Sequence, residues 1–150
     1  MQTITPCLWF DGQAEEALQF YTETFANTEI LEVSRHQGRL LTATFQLDGL
    51  RLMILNGGAR HSFNDAISLV VPCETQAEID HLWARLTDGG EEGQCGWLKD
   101  RFGVSWQIVP TILPQLLSDP DPIKGQQAMQ AMLQMKKLDI AGLQGVSIDS

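Results

Sequence analysis

Three histidines, three cysteines, a scatter of amides and four tryptophans are the residues of this chain with the most chemistry to offer. Their spacing excludes more than it supports. His36, His61 and His81 form no HxH or HExxH pattern, the spacings that bring two imidazoles to one cation. Each reads as a surface or capping histidine, His61 least so because it follows the Gly57-Gly58 pair in a loop. Cys7, Cys73 and Cys95 are an odd set without a CxxC pair, which fits a reducing compartment and not a disulfide framework. No GxSxG elbow offers a serine nucleophile. Two glycine turns remain. Asn56-Gly57-Gly58 follows a strand pattern but leads into a loop, and Asp88-Gly89-Gly90 follows a helix pattern. Neither opens a helix after a strand, the context that a parallel α/β methyltransferase sheet needs for its cofactor. Methyl transfer is therefore not the expectation.

The charge balance narrows the partners. Ten Lys and Arg stand against 19 Asp and Glu, a formal net charge of −9, and no basic cluster offsets it. Such a surface repels a phosphate backbone, so no nucleic-acid partner is expected. No run of 18 apolar residues occurs, and the first ten residues lack a basic start before an apolar stretch. Neither a membrane partner nor a signal peptide is expected, and the expected location is cytoplasmic. An apolar fraction of 43% supports a packed core.

The elements that must position these residues follow from period. Residues 3–10 read as a strand ended by Asp11-Gly12. Ala14, Ala17, Leu18, Tyr21 and Phe25 recur at helical spacing over residues 14–25. Strand patterns follow at 29–35, 40–47 and 50–55, the last two flanking Asp48-Gly49, a hairpin turn signal. A second unit opens with a strand at 66–71, ended by Pro72. A helix over 75–86 carries Ile79, Leu82, Trp83 and Leu86 on one face, with Thr75 and Glu78 at capping-box spacing. Strands at 94–99 and 104–109 flank the turn Asp100-Arg101-Phe102-Gly103, and a weak strand signal lies at 91–93. The order strand, helix, strands thus occurs twice, in a first module over 1–58 and a second over 66–110. This reads as a degenerate βαβββ duplication; an α+β sandwich without pseudo-symmetry is the alternative. A helical tail over 111–141 completes one domain spanning 1–150. Its main helix, 123–137, has Asp121 as N-cap, Pro122 in the first turn, Lys136-Lys137 at the C-terminal end and an apolar stripe of Ile123, Met129, Met132 and Leu133. The stripe reads as core or oligomer packing, and residues 142–150 as frayed.

Four stretches carry a resemblance. Ile4-Thr5-Pro6-Cys7-Leu8-Trp9-Phe10, Leu55-Asn56-Gly57-Gly58, Gly93-Gln94-Cys95-Gly96-Trp97-Leu98-Lys99-Asp100 and Gly103-Val104-Ser105-Trp106-Gln107-Ile108-Val109-Pro110 resemble the PhnB-like branch of the vicinal oxygen chelate (glyoxalase/bleomycin resistance/dioxygenase) superfamily. That branch is often labelled 3-demethylubiquinone-9 3-methyltransferase. The tail over 119–137 is similar to it as well. The resemblance implies an α+β fold of two βαβββ modules whose sheets form a cup with the helices outside, and a homodimer. It does not imply one reaction.

Metal-dependent members of the superfamily take His, Gln or Glu ligands from the first, fourth, fifth and eighth strands. The matching positions here are Pro6, a strand face whose one oxygen donor is Asn56, a position near Ala66, and Gln107. Two neutral amides at most are a poor set for a divalent cation. No metal and no cofactor are expected. If Gln107 faces the cup, alternation puts Trp106 in the core and Leu8, Phe10, Asn56, Ser68, Ser105 and Gln107 on the ligand face, with Gln94 beside them. His61 and Asn64 are rim candidates, and Asp100 is the turn residue. The expected function is binding of a small organic molecule without the family's metal, Gln107 and Asn56 donating hydrogen bonds to a carbonyl or oxyanion. No catalytic residue is named. Two alternatives stand: a metal-dependent lyase, isomerase or dioxygenase with an unusual ligand set including His61 and Cys95, and a non-catalytic dimer that sequesters its ligand.

Overall fold

The period-two segments before residue 63 become β1 (Cys7–Phe10), β2 (Thr28–His36), β3 (Arg39–Leu47) and β4 (Leu50–Asn56), with α1 (Ala14–Thr24) after β1, in a computed structural model that describes residues 3–145. Their order in the sheet is β1-β4-β3-β2, with β1 parallel to β4 and the other neighbours antiparallel. After a division between Phe63 and Asn64 the pattern repeats. β5 (Ser68–Cys73), α2 (Gln76–Thr87), β6 (Glu91–Glu92), β7 (Trp97–Lys99) and β8 (Ser105–Pro110) form a sheet of order β5-β8-β7-β6, again with one parallel pair, β5 with β8. The architecture is α+β with two βαβββ modules. Three short helices follow, α3 (Leu113–Leu117), α4 (Pro122–Leu133) and α5 (Ile140–Leu143).

α1 and α2 each bury one stripe on the sheet of their own module. In the first module Tyr21 of α1 stacks on Phe45 of β3, ring centroids 6.4 Å apart and planes within 8°. Leu52 and Ile54 of β4 are fully buried on that same side. Asp48 and Gly49 both adopt left-handed φ, 47° and 91°, as the two-residue β3–β4 hairpin demands. In the second module Ile79, Leu82, Trp83 and Leu86 of α2 are buried with Leu98, Trp106 and Ile108. Thr75 caps α2 by accepting the Glu78 N–H at 3.2 Å, as the capping-box spacing predicts.

Several boundaries differ from the sequence expectation, each for a local reason. Pro72 lies inside β5 instead of ending it, because β5 is an edge strand and its open side needs no N–H from Pro72. The expected strand at 94–99 begins only at Trp97, since Cys95 and Gly96 both take left-handed φ, 59° and 87°, and cannot extend a strand. The weak signal at 91–93 is a real strand, β6. The main tail helix ends at Leu133, so Lys136 and Lys137 lie beyond it and do not face its dipole. The chain then forms α5, whose Leu143 is buried, where fraying was expected from 142 onward. Residues 146–150, the rest of that expectation, lie outside the described residues.

Candidate functional site

The tether that sets the second sheet's facing is Asp100. Its Oδ1 accepts the N–H groups of Phe102 and Val104 at 2.9 and 3.1 Å, and its Oδ2 accepts the Trp106 indole N–H at 2.9 Å. It is the turn residue the sequence suggests, and it pins Trp106 to the side covered by α2. Alternation then turns Ser105, Gln107 and Val109 to the opposite, open side. Register extends this into rows across the sheet. One row runs Ser68, Ser105, Lys99, Glu91, and the next runs Val70, Gln107, Trp97. The first row is polar on all four strands. The second holds one amide between two apolar side chains.

These groups are wired together. Gln107 donates its Nε2–H to Ser68 Oγ at 2.9 Å. Asp65, just before β5, accepts the Ser105 hydroxyl at 3.2 Å and pairs with Lys99 Nζ at 3.2 Å through the same oxygen. Asp65, Glu91, Gly93, Gln94, Trp97, Lys99 and Ser105 line a surface cavity of about 290 Å³. Its polar groups are three carboxylates (Asp65, Glu91 and Glu92), an ammonium, an amide and a hydroxyl, with one indole wall. That composition suits an organic molecule with a hydrogen-bonding head and a flat or apolar body. Of the expected site residues, Gln94 and Ser105 line this cavity, and Ser68 and Gln107 share its face. Asp65, Glu91, Glu92, Trp97, Leu98 and Lys99, which also line it, are not among the expected site residues. The signal was present for Lys99, because the Asp100 to Gly103 turn places it opposite Ser105.

The first module reverses the expectation. Leu8 pairs with Ile54 and Phe10 with Asn56, and Ile54 shares its face with Phe45 through Ala43. Leu8, Phe10 and Asn56 therefore lie on the side covered by α1, not on the open side. Phe10 is buried, edge-on to Phe63 at 5.1 Å. Asn56 uses its carboxamide structurally: Oδ1 accepts the Ala14 N–H at 2.9 Å and Nδ2 donates to the Leu40 carbonyl at 2.9 Å. It caps α1 from another strand, where the preceding residue Gln13 makes no side-chain cap. The open side instead presents Cys7, Trp9, Thr42, Thr44, Met53 and Leu55. Of the rim candidates, His61 packs edge-on against Trp9 with centroids 4.8 Å apart, and Asn64 accepts the Ala66 N–H at 2.8 Å in a turn ahead of β5.

The residues at the superfamily's metal positions do not fit a divalent cation. Pro6 and Ala66 have no donor side chain, Asn56 is spent on α1, and Gln107 offers one neutral amide oxygen. Among the described residues no three His, Cys, Asp or Glu side chains gather as a cation site. Cys73 is fully buried, and burial, helped by the negative charge of Glu78, pushes its thiol up to about 11. It is a core residue without nucleophilic character at neutral pH. Gly57 explains the remaining glycine turn. A Cβ there would fall inside the Trp9 indole, whose N–H donates to the Gly58 carbonyl at 2.9 Å. The close approach that this glycine permits is taken by a tryptophan of the same module, not offered to a nucleotide.

Among the described residues no helix is long and apolar enough to cross a membrane. No curated protein matches the sequence. Among solved structures, the PhnB protein from Bacillus cereus is 36% identical, with 73% of this chain and 99% of that one covered and a TM-score of 0.68. Protein PA1353 from Pseudomonas aeruginosa is 20% identical over 73% and 98% of the two chains, TM-score 0.61. The fosfomycin resistance protein FosX from Listeria monocytogenes, complexed with Mn(II) and sulfate, is 16% identical over 71% and 89%, TM-score 0.53. The last two likenesses concern the fold alone. The family model for 3-demethylubiquinone-9 3-methyltransferase matches residues 2–109 and leaves the helical tail outside. Two βαβββ modules, the match over both of them and the Bacillus relative together place this chain in the 3-demethylubiquinone-9 3-methyltransferase-like (PhnB) family of the vicinal oxygen chelate fold.

Proposed function

We propose that the protein binds a small organic molecule against the open face of its second sheet, without the metal used by enzymes of the superfamily. The observation that carries this reading is the pair of cross-strand rows, Ser68-Ser105-Lys99-Glu91 and Val70-Gln107-Trp97, beside the cavity of about 290 Å³. Gln107 spends one amide N–H on Ser68, and an amide carries a second N–H for a ligand oxygen. In a partly dehydrated pocket such a donor polarises a carbonyl or steadies an oxyanion. The paired Asp65 and Lys99 orient a polar head, and Trp97 with Val70 supports an apolar body. The methyltransferase name of the family is not carried over as an activity. Each sheet here is mostly antiparallel, and neither glycine turn opens a helix after a strand.

The same proposal places the protein in the cytoplasm as a homodimer. The odd, unpaired cysteines support the first. Support for the second comes from α4, which buries Gly125 and Ala128 and leaves Ile123, Met129 and Leu133 exposed. The test is to incubate the purified protein with a metabolite extract and to identify by mass spectrometry which molecules are retained and which are consumed. Retention weakened by Gln107→Ala supports the reading, and consumption makes the protein an enzyme. Retention indifferent to Gln107→Ala, or a stoichiometric stabilising shift with Zn²⁺, Ni²⁺ or Mn²⁺, overturns it.

A further inference from the structure

Five residues of the tail hold the 95–96 loop and the first turns of α2. The Met135 and Lys136 carbonyls accept the N–H groups of Cys95 and Gly96, each at 2.8 Å. Leu138 is fully buried and lies against Gly96, where a Cβ would come within 3.0 Å of its Cδ1. Gln76, the first residue of α2, donates Nε2–H to the Leu138 carbonyl at 3.0 Å and accepts the Ile140 N–H at 2.8 Å. Lys137 Nζ reaches Asp80 Oδ1 at 2.8 Å, and that contact holds the Asp80 carboxyl below its usual range. Every one of these tail groups lies outside the family match, which ends at residue 109.

The gripped segment matters because of what it borders. Gly93, Gln94 and Trp97 line the cavity, and Cys95 with Gly96 completes the β6–β7 loop. Cys95 sits at φ 59°, a conformation disfavoured for a residue with a Cβ and maintained only when its surroundings enforce it. Its own N–H is one of the two bonded to the tail. We propose that residues 135–140 are a latch that fixes this cavity wall, with Leu138 and Gln76 as its positioning residues. Releasing the latch frees the 93–96 loop and widens the cavity while the sheet and α2 stay folded. The inference concerns the loop alone and stands independently of the ligand reading.

The three cysteines provide the assay. Cys7 is exposed, Cys73 is buried, and Cys95 is half-buried with its backbone N–H bonded to the latch. Iodoacetamide labelling of the intact folded protein, read peptide by peptide by mass spectrometry, gives the rate at Cys95 relative to Cys7. Leu138→Ala is expected to raise that ratio about tenfold and Gln76→Ala about threefold, as local opening becomes easier. Cys73 stays unlabelled on the same timescale, and Leu138→Met returns the ratio to within about twofold of the parent. An unchanged ratio in a Leu138→Ala protein that still melts cooperatively overturns the latch. So does labelling of Cys73 in step with Cys95, which marks global unfolding. If Leu138→Ala does not fold, Gln76→Ala decides, and an unchanged ratio there overturns the proposal. No ligand is present in the assay, so a failed metabolite screen and a failed latch are separate results.

Discussion

Replacing Asp100 by Ala tests the tether on which the second sheet's facing depends. The side chain is 2% exposed and accepts three hydrogen bonds at 2.9 to 3.1 Å. A hydrogen bond to a charged acceptor contributes about 1.5–3 kcal/mol, and a buried donor left without a partner costs a similar amount. The Phe102 N–H is only partly buried and can turn to water. The Val104 N–H and the Trp106 indole cannot, so the expected loss is about 3–5 kcal/mol. With a urea slope of about 2 kcal/mol/M for a chain this size, the unfolding midpoint falls by about 1.5–2.5 M. Asp100→Asn separates the parts. Its carbonyl oxygen still serves the two main-chain donors, but its NH₂ meets the indole N–H, donor against donor, for a loss of about 2–3 kcal/mol. Gln107→Ala, removing one partly exposed hydrogen bond to Ser68, should cost under about 1 kcal/mol. Urea melts followed by circular dichroism rank the three. A loss below 1 kcal/mol for Asp100→Ala, or equal losses for Asp100→Ala and Gln107→Ala, refutes the claim that Asp100 sets the Trp106 and Gln107 facing.

Other outcomes follow from single contacts. Gly57→Ala displaces the Trp9 indole from its place against Gly57 and breaks its bond to Gly58, so it should lower stability by about 1–3 kcal/mol and shift tryptophan emission. Thr75→Ala removes the α2 cap and should cost about 1 kcal/mol in a urea melt. Cys73 ionises near its ordinary 9.0 in the unfolded chain and near 11 in the folded one, so its contribution is complete below pH 9 and fades as pH rises towards 11. That loss reaches at most about 2–3 kcal/mol, and Cys73→Ala should flatten the decline of stability between pH 9 and 11. Arg35→Ala removes an exposed, solvent-screened pair with Glu15 and should leave the melting midpoint unchanged within error.

Most elements were legible because their signals are local. The Asp48-Gly49 hairpin, the Thr75 cap and the Asp121 cap of α4 each depend on two to four neighbouring residues, and each occurs where its spacing says. The misplaced features depend on distant partners. No local pattern announces that Asn56 caps a helix starting 42 residues earlier. None announces that α4 stops at Leu133 so that Met135 and Lys136 can meet Cys95 and Gly96. The left-handed pair at 95–96 was hidden for a related reason. Glycine at 96 permits it, but cysteine at 95 adopts it only with the tail bonded across the loop.

The reversed face of the first module has a more instructive cause. Alternation identifies which residues share a side of a sheet, but not which side a helix covers. Taking the facing from the superfamily's first-strand position, Pro6, put Leu8, Phe10 and Asn56 on the open side. The strand sequences themselves argue otherwise. Along β3 one set reads Ala43, Phe45, Leu47 and the other Thr42, Thr44, Gln46. The Asp48-Gly49 turn carries the first set onto Leu52 and Ile54 by fixing Phe45 opposite Leu52. A helix with Ala14, Ala17, Leu18 and Tyr21 on one stripe must cover the more apolar set, because burying the threonines and Gln46 would strand their polar groups. Parallel pairing of β1 with β4 then puts Leu8 and Phe10 with Ile54 and Asn56, under α1. In the second module the amide and hydroxyl side chains of β8 fall opposite Trp106 and Ile108, so the apolar set and the family position agree. Where the two criteria conflict, the burial requirement of the helix decides the facing, and the proposed ligand groups belong to the set the helix leaves uncovered.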